Sequence, residues 1–301
     1  MSQQRPARQI AADFDPEVLR LFDQYVHGQL DRRGFLDRAA RYAVGGTTAV
    51  GLLAALSPNF ALAQKVSPTD ARVKNEFVEF ASPNGNGTVR ALVARPAQAS
   101  GPLPVVLVVH ESRGLNPHIE DIARRLALDN FIAVAPDALF TVGGYPGDED
   151  KARDLFAKLD RMKTAEDFVA AAHYARGIAG GNGKLGATGF CYGGGIVNML
   201  ATRVPELNAG APFYGEAAAL DQVSKIKAEL LLVFAATDPR INNMWPPYET
   251  ALKSSGVKFE AHTYPGTQHG FNNDTTPRFD EAQAKVAWGR TVALFNRTLR
   301  A

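Results

Sequence analysis

The chain is poor in cysteine: Cys191 is the single one in 301 residues. That excludes an intrachain disulfide framework, and no Cys/His cluster has the spacing of a zinc site. An excess of one charge is missing too, since 33 Lys+Arg against 31 Asp+Glu leave +2. Nothing in that balance points to nucleic acid or another acidic polymer as a partner. Cofactor fingerprints are lacking as well: Gly181-Asn182-Gly183 and Gly193-Gly194-Gly195 form neither a dinucleotide-binding nor a P-loop pattern. No apolar run reaches the roughly 20 residues of a stable membrane span, and no internal repeat is present. The remaining composition, 46% hydrophobic and 21% charged, is that of an ordinary globular chain. No metal or cofactor is expected.

The first sixty or so residues differ in kind from the rest. Asp31-Arg32-Arg33-Gly34-Phe35-Leu36 is followed by Arg38 and Arg41, then by a weakly apolar stretch from Ala43 to Leu56. Ala61-Leu62-Ala63 closes the segment as an A-x-A cleavage signal. The pattern resembles a twin-arginine export signal, with Asp31 and Asp37 standing where Ser/Thr and Lys are usual. It implies a leader over residues 1–63, the twin-arginine export machinery as a partner and a periplasmic or secreted location. Residues 64–301 would then form a single domain. The alternative is an amphipathic helical extension of a cytoplasmic protein.

Past residue 63 the pattern changes to alternating strands and helices. Asn75–Phe80 and Thr88–Ala94 read as a hairpin around Ser82-Pro83-Asn84-Gly85-Asn86-Gly87. Pro104–His110 is almost wholly apolar and β-branched, the mark of a strand covered on both faces. Asn116-Pro117 supplies a cap and an N1 proline for a helix running to about Asp129. Phe131–Pro136, Ala209–Tyr214, Leu230–Ala236 and Val257–Tyr264 read as further strands. Helical patterns cover Asp148–Leu159, Thr164–Tyr174, Pro246–Lys253 and Asp280–Leu299. Such alternation predicts an α/β fold, a mostly parallel twisted sheet with helices on both faces and an antiparallel N-terminal hairpin. That is the α/β-hydrolase fold.

Cys191 stands in Gly189-Phe190-Cys191-Tyr192-Gly193, a G-x-S-x-G nucleophile elbow with sulfur in place of the hydroxyl. A strand that reverses directly into a helix exposes its central residue on a strained turn, and the flanking glycines let the chains pass. The amide after the nucleophile, here that of Tyr192, faces the developing oxyanion. Such a nucleophile needs a base, and the base needs an acid to orient it. In this fold the chain order is nucleophile, acid, histidine, each after the C-terminal end of a strand. Asp238 follows the Leu230–Ala236 strand, and His269 follows the Val257–Tyr264 strand. The other histidines are weaker candidates. His27 lies in the presumed leader, His118 and His173 lie in helical segments, and His262 alternates within a strand. His110 ends a strand at the right end of the sheet but precedes the elbow.

After the first buried strand comes the loop His110-Glu111-Ser112-Arg113-Gly114-Leu115-Asn116. Glu111 would face the crevice of Cys191 and could accept the thiol proton; the plain alternative is a surface pair with Arg113. Taken together, Glu111-x-x-Gly114-x-Asn116, the Cys191 elbow, Asp238 and His269-Gly270-Phe271 resemble the dienelactone hydrolases, or carboxymethylenebutenolidases. The resemblance spans about Asn75 to Leu299. It implies a Cys191–His269–Asp238 triad, Glu111 as a switch for the thiol proton, and the amides of Tyr192 and Ser112 as oxyanion hole. Arg113 and Tyr214 are the candidates for substrate binding. Family members that bind a substrate carboxylate use an arginine shortly after the histidine, whereas here the nearest one is Arg278.

The expected function is therefore cofactor-independent hydrolysis of an ester or lactone through a cysteine nucleophile. Two other classes compete with it. One is a non-catalytic member of the fold that binds a small molecule, against which the presence of both Asp238 and His269 counts. The other is a thiol redox protein, for which a resolving cysteine is missing.

Overall fold

The computed structural model describes residues 9–301. The segment expected as a leader is folded, apart from residues 1–8, which lie outside the described residues. It contains helices α1 (Pro16–Val26), α2 (Arg32–Ala39), α3 (Ala49–Leu56) and the single turn α4 (Phe60–Ala63). Asp15, Asp31, Thr48 and Asn59 cap them, each side chain accepting a backbone N–H of the first turn. Val18, Leu21, Phe22 and Tyr25 from α1, Phe35 from α2, and Leu53 and Leu56 from α3 bury one another in a small core of their own. Leu53 and Leu56 of the apolar stretch Ala43–Leu56 therefore have partners within the chain, whereas Val44 and Val50 stay exposed.

This segment is also tied to the rest of the molecule by polar contacts. Arg32 pairs with Asp150 at 2.9 Å, Tyr25 donates to the same carboxylate, and Arg113 donates to the Val26 carbonyl at 3.0 Å. Further along, Asn59 N–H donates to the Thr275 carbonyl at 2.8 Å, and Asp121 accepts from the amides of Lys65 and Val66.

The sheet follows. It comprises β1 (Val73–Ser82), β2 (Gly87–Pro96), β3 (Leu103–Val109), β4 (Ile132–Pro136), β5 (Gly181–Phe190), β6 (Leu207–Phe213), β7 (Glu229–Thr237) and β8 (Phe259–Gln268). Between the strands run α5 (Pro117–Leu128), α6 (Glu149–Phe156), α7 (Arg161–Arg176), α8 (Tyr192–Arg203), α9 (Pro239–Asn242) and α10 (Trp245–Ser254), and α11 (Glu281–Leu299) ends the chain. The strand order is β1-β2-β4-β3-β5-β6-β7-β8, with β1–β2 and β2–β4 antiparallel and the other pairs parallel. This is the α/β-hydrolase fold expected from the alternation.

Burial follows the pleat. In β3, Val106 and Val108 face the core under α5 and α11, while Val105, Leu107 and Val109 face the core under α7, α8 and α10. Successive side chains of a strand point to opposite faces, so a strand covered on both sides has no polar position to spare. Asn116 caps α5 with Pro117 in its first turn, as the sequence predicts. The start of α7 is earlier than expected: Asp160 accepts from the amides of Met162 and Lys163, and Thr164 is buried inside the helix.

The glycines around the elbow are where sequence dictates geometry most sharply. A Cβ on Gly189 would stand 2.3 Å from the Gly193 carbonyl oxygen, and one on Gly193 would stand 2.3 Å from that of Val109. Backbone cannot retreat from such a contact cheaply. Gly193→Ala is expected to destabilise the fold by about 1–3 kcal/mol or more, read as a lower denaturation midpoint. An unchanged midpoint would mean that the elbow has room the structure denies.

Candidate active site

Between β5 and α8 the chain turns on Cys191 itself, at φ 55° and ψ −114°. A side chain at positive φ costs on the order of 1–3 kcal/mol and persists only where its surroundings fix it. Here Cys191 N–H donates to the Phe213 carbonyl at 3.1 Å, and its own carbonyl accepts from Gly194 and Gly195 at 3.0 and 3.2 Å. Tyr192 opens α8, so its N–H is one of the donors a helix start leaves unpaired. The thiol is buried. The strain of the elbow is present.

Asp238 follows β7 and His269 follows β8, each at the end of a strand. The Asp238 carboxylate accepts from His269 Nδ1 at 2.5 Å, and both side chains are buried. That bond fixes the proton on Nδ1 and leaves Nε2, buried and without a hydrogen bond, as the nitrogen free for chemistry.

A third residue joins them that sequence reasoning assigned to the leader. His27, at the C-terminal end of α1, has Nε2 3.5 Å from Cys191 Sγ, and its ring meets that of His269 edge-on at 4.7 Å between centroids. The sulfur and one nitrogen of each imidazole lie within 4.8 Å of one another. Among the described residues this is the one convergence of three such donor groups. The segment so assigned reaches Cys191. Its sequence signal is slight: Asp23 and His27 share a face of an amphipathic helix, but nothing marks a partner 164 residues away.

The electrostatics follow from this crowding. Burial opposes ionisation of Cys191, but the nearby charge of His269, and then the hydrogen bond and charge of His27, outweigh it and bring the thiol down to about 5. Burial likewise opposes a charge on His27, yet Asp23 and Cys191 raise it to about 10. His269 is also raised, against its burial, by the sulfur and by Asp238. Asp23 lies well below the usual carboxylate range, since His27 and Arg278 outweigh its desolvation.

The remaining sequence candidates divide. His110 is a structural residue: its Nε2 accepts from Ala138 N–H at 3.1 Å and its Nδ1 donates to the Glu111 carbonyl at 2.6 Å. With both nitrogens spent and the ring fully buried, its pKa is lowered by desolvation. Glu111 lines a cavity of about 340 Å³ together with Cys191 and His269, and its carboxylate accepts from Asn273 at 2.9 Å. Arg113 turns from Glu111 to Glu149, 3.7 Å away, and donates to the carbonyl and hydroxyl of Ser112. Arg278 is engaged by Asp23 at 3.3 Å and lies over the Phe22 ring. Tyr214 is fully buried at φ 38°, its ring 4.9 Å from that of His269. It packs behind the histidine and lines neither this cavity nor the larger one.

The larger cavity, of about 1380 Å³, opens beside Cys191. His27, Arg113 and Tyr192 line it near the sulfur, with Ile196 and Met199 giving an apolar wall. Arg161, Arg203, Lys225, Lys227 and Arg240 bring positive charge to it, with Glu216 opposing them.

A doubly covered sheet with a strained cysteine at its central turn defines a hydrolase of the α/β-hydrolase fold. Residues 89–299 match the model of the Dienelactone hydrolase family, and the chain belongs to that family. It is 32% identical over 246 residues to a carboxymethylenebutenolidase-like protein of Escherichia coli K12, spanning 77% of this chain and 89% of that one. A shorter hydrolase fragment from the same organism, YghX, is 52% identical over 113 residues, or 38% of this chain and 97% of its own. Among solved structures, a dienelactone hydrolase-like protein from Klebsiella pneumoniae superposes with a TM-score of 0.64 at 30% identity, covering 74% of this chain and 100% of that one. The N-terminal residues 5–43 match a second model, described as YqhI-like. No helix among the described residues is long and apolar enough to cross a membrane.

Proposed function

We propose that the chain hydrolyses an ester or lactone through a Cys191 thioester, with His269 as base and general acid and Asp238 orienting it. The bond from His269 Nδ1 to Asp238 carries this reading, because it leaves Nε2 directed to the acid–base work at the sulfur. The thiolate attacks the carbonyl carbon. The oxyanion that forms is met by the amides of Tyr192 and Ser112. Collapse expels the alkoxide or enolate, which takes its proton from His269, and water activated by the same histidine then cleaves the thioester. Thiolate is itself a good leaving group, so esters and lactones with stabilised leaving groups are favoured and amides are not. Wild-type protein should turn over chromogenic short-chain esters and leave peptide anilides intact; the opposite preference overturns the reading. The positive groups around the larger cavity suit an anionic substrate.

Glu111 enters the proposal as the acceptor of the thiol proton in the substrate-bound site, where substrate displaces a histidine from sulfur. Glu111→Gln keeps the shape but not the basicity, and acylation is expected to slow by about 10²–10⁴-fold. Rapid mixing measures that step alone, and an unchanged acylation rate returns Glu111 to a purely structural bond with Asn273.

Export is the second reading of residues 1–63, and it rests on Arg32-Arg33 and Ala61-Leu62-Ala63. Protein from the native cell would then begin at Gln64 and would lack His27. The buried core of the segment and its contacts to Asp150, Arg113 and Thr275 support a protein that keeps it.

A further inference from the structure

We infer that His27 is a further catalytic residue, which holds the sulfur of Cys191 as a thiolate, and that the N-terminal helical segment is therefore part of the active site. The inference rests on the proposal that Cys191 is the nucleophile. Its geometry is independent of the triad, because His27 comes from another part of the chain and has its own carboxylate.

Nδ1 of His27 faces the Asp23 carbonyl at 2.8 Å and the Asp23 carboxylate at 3.3 Å, two acceptors that keep a proton there. Nε2 is then the nitrogen that exchanges a proton with sulfur. The S–H bond breaks, an Nε2–H bond forms, and a thiolate and an imidazolium remain, with no other reactant needed. The charged groups around this ring come from every element packed on it. Asp23 lies on α1 with Arg278 behind it at 3.3 Å, and Arg240 reaches Nε2 at 3.2 Å with Glu216 behind it at 3.5 Å. Cys191 and His269 lie against the ring, and Arg113 stands beside it on the carbonyl of the preceding Val26 at 3.0 Å. Arg240 opposes a second positive charge on His27, while the sulfur and Asp23 supply the two negative charges that favour it. The raised His27 and the lowered Cys191 agree in direction with that balance.

Two histidines on one sulfur permit a division of labour that one alone does not. His27 shares with His269 the charge that keeps the nucleophile ionised, so His269, backed by Asp238, can give its proton to the leaving group while a cation stays beside the sulfur. Such a division suits thiol chemistry, where the tetrahedral intermediate reverts unless the departing oxygen receives a proton promptly.

The test uses the full-length chain, in which the single cysteine makes alkylation unambiguous. The rate of Cys191 carboxamidomethylation by iodoacetamide is followed from pH 4 to 10 in wild type, His27→Gln and Asp23→Asn, beside thermal unfolding of each. Removing the imidazolium raises the thiol midpoint, and below that midpoint the thiolate fraction falls about tenfold for each pH unit of the rise. The expected result is alkylation at pH 6 at least tenfold slower in His27→Gln and restored at high pH, with kcat/KM for an activated ester following the same profile. Asp23→Asn should move in the same direction by less. A natively folded His27→Gln with the wild-type profile overturns the inference. If that variant loses the fold, an Asp23→Asn profile equal to wild type overturns it instead. Failure of the triad is told apart by Cys191→Ala. Turnover surviving in that variant removes the nucleophile, whereas an inert Cys191→Ala beside an unshifted His27→Gln removes only the role of His27.

Discussion

Cys191→Ala is expected to abolish turnover of chromogenic short-chain esters while leaving the fold nearly as stable as before. Alanine at the elbow keeps the strained φ of 55° and loses only a sulfur at the edge of the cavity. The rate loss should be large, on the order of 10⁴–10⁶-fold, since a nucleophile and its base act as a unit. Mass spectrometry after a slow substrate or an alkylating inhibitor should place the whole adduct on Cys191. The pH profile adds a second readout. A thiol lowered to about 5 loses its reactive form as the pH falls through that value, so wild-type activity should persist well below the ordinary cysteine range near 9. Full esterase activity in Cys191→Ala would sink the cysteine mechanism, and wild-type protein that binds esters without turning them over would favour the binding-only reading.

How much of this was legible beforehand depended on whether the residues carry a local pattern. Buried runs such as Pro104–Val109 and Leu230–Ala235 announce themselves, because two covered faces leave no polar positions. Asp238 and His269 are readable for a related reason: the fold puts the ends of successive strands side by side, so position along the chain stands in for position in space. His27 has no such coordinate. Its α1 belongs to a segment whose charge pattern and apolar stretch also fit an export signal, and composition alone does not say whether Phe35, Leu53 and Leu56 bury one another or pass through a membrane. Only the partners decide, and Val18, Phe22 and Tyr25 are those partners. The departure noted after His269 has the same kind of cause. The nearest arginine, Arg278, stands too far along the chain for the family's anchor, and in the folded chain it pairs with Asp23 of α1. Long-range pairing between a terminal helix and a loop leaves no periodicity to read.

His269→Ala is expected to remove steady-state turnover as completely as Cys191→Ala does, yet to leave a different trace in the first moments of reaction. In the proposed mechanism the histidine serves twice, giving a proton to the leaving group and later taking one from water. An activated ester with a stable leaving group needs little of the first service, and a sulfur whose proton has passed to His27 or Glu111 needs no help from His269. His269→Ala should therefore release about one equivalent of chromophore and then stall, because the histidine that remains, His27, is held protonated beside Asp23 and cannot take a proton from water. Asp238→Asn should give a milder version of the same trace. An amide nitrogen facing Nδ1 favours the tautomer with the proton on Nε2, the wrong nitrogen for a base, and a loss of about 10⁴-fold in kcat is the scale such a change can reach. The double variant Cys191→Ala/His269→Ala should be little worse than either single one. Rapid mixing followed by intact-mass measurement distinguishes the outcomes, since the stalled His269→Ala enzyme should carry the acyl mass on Cys191. Undiminished steady-state turnover in His269→Ala would show that the bond between His269 and Asp238 is structural, and the base would have to be sought at His27.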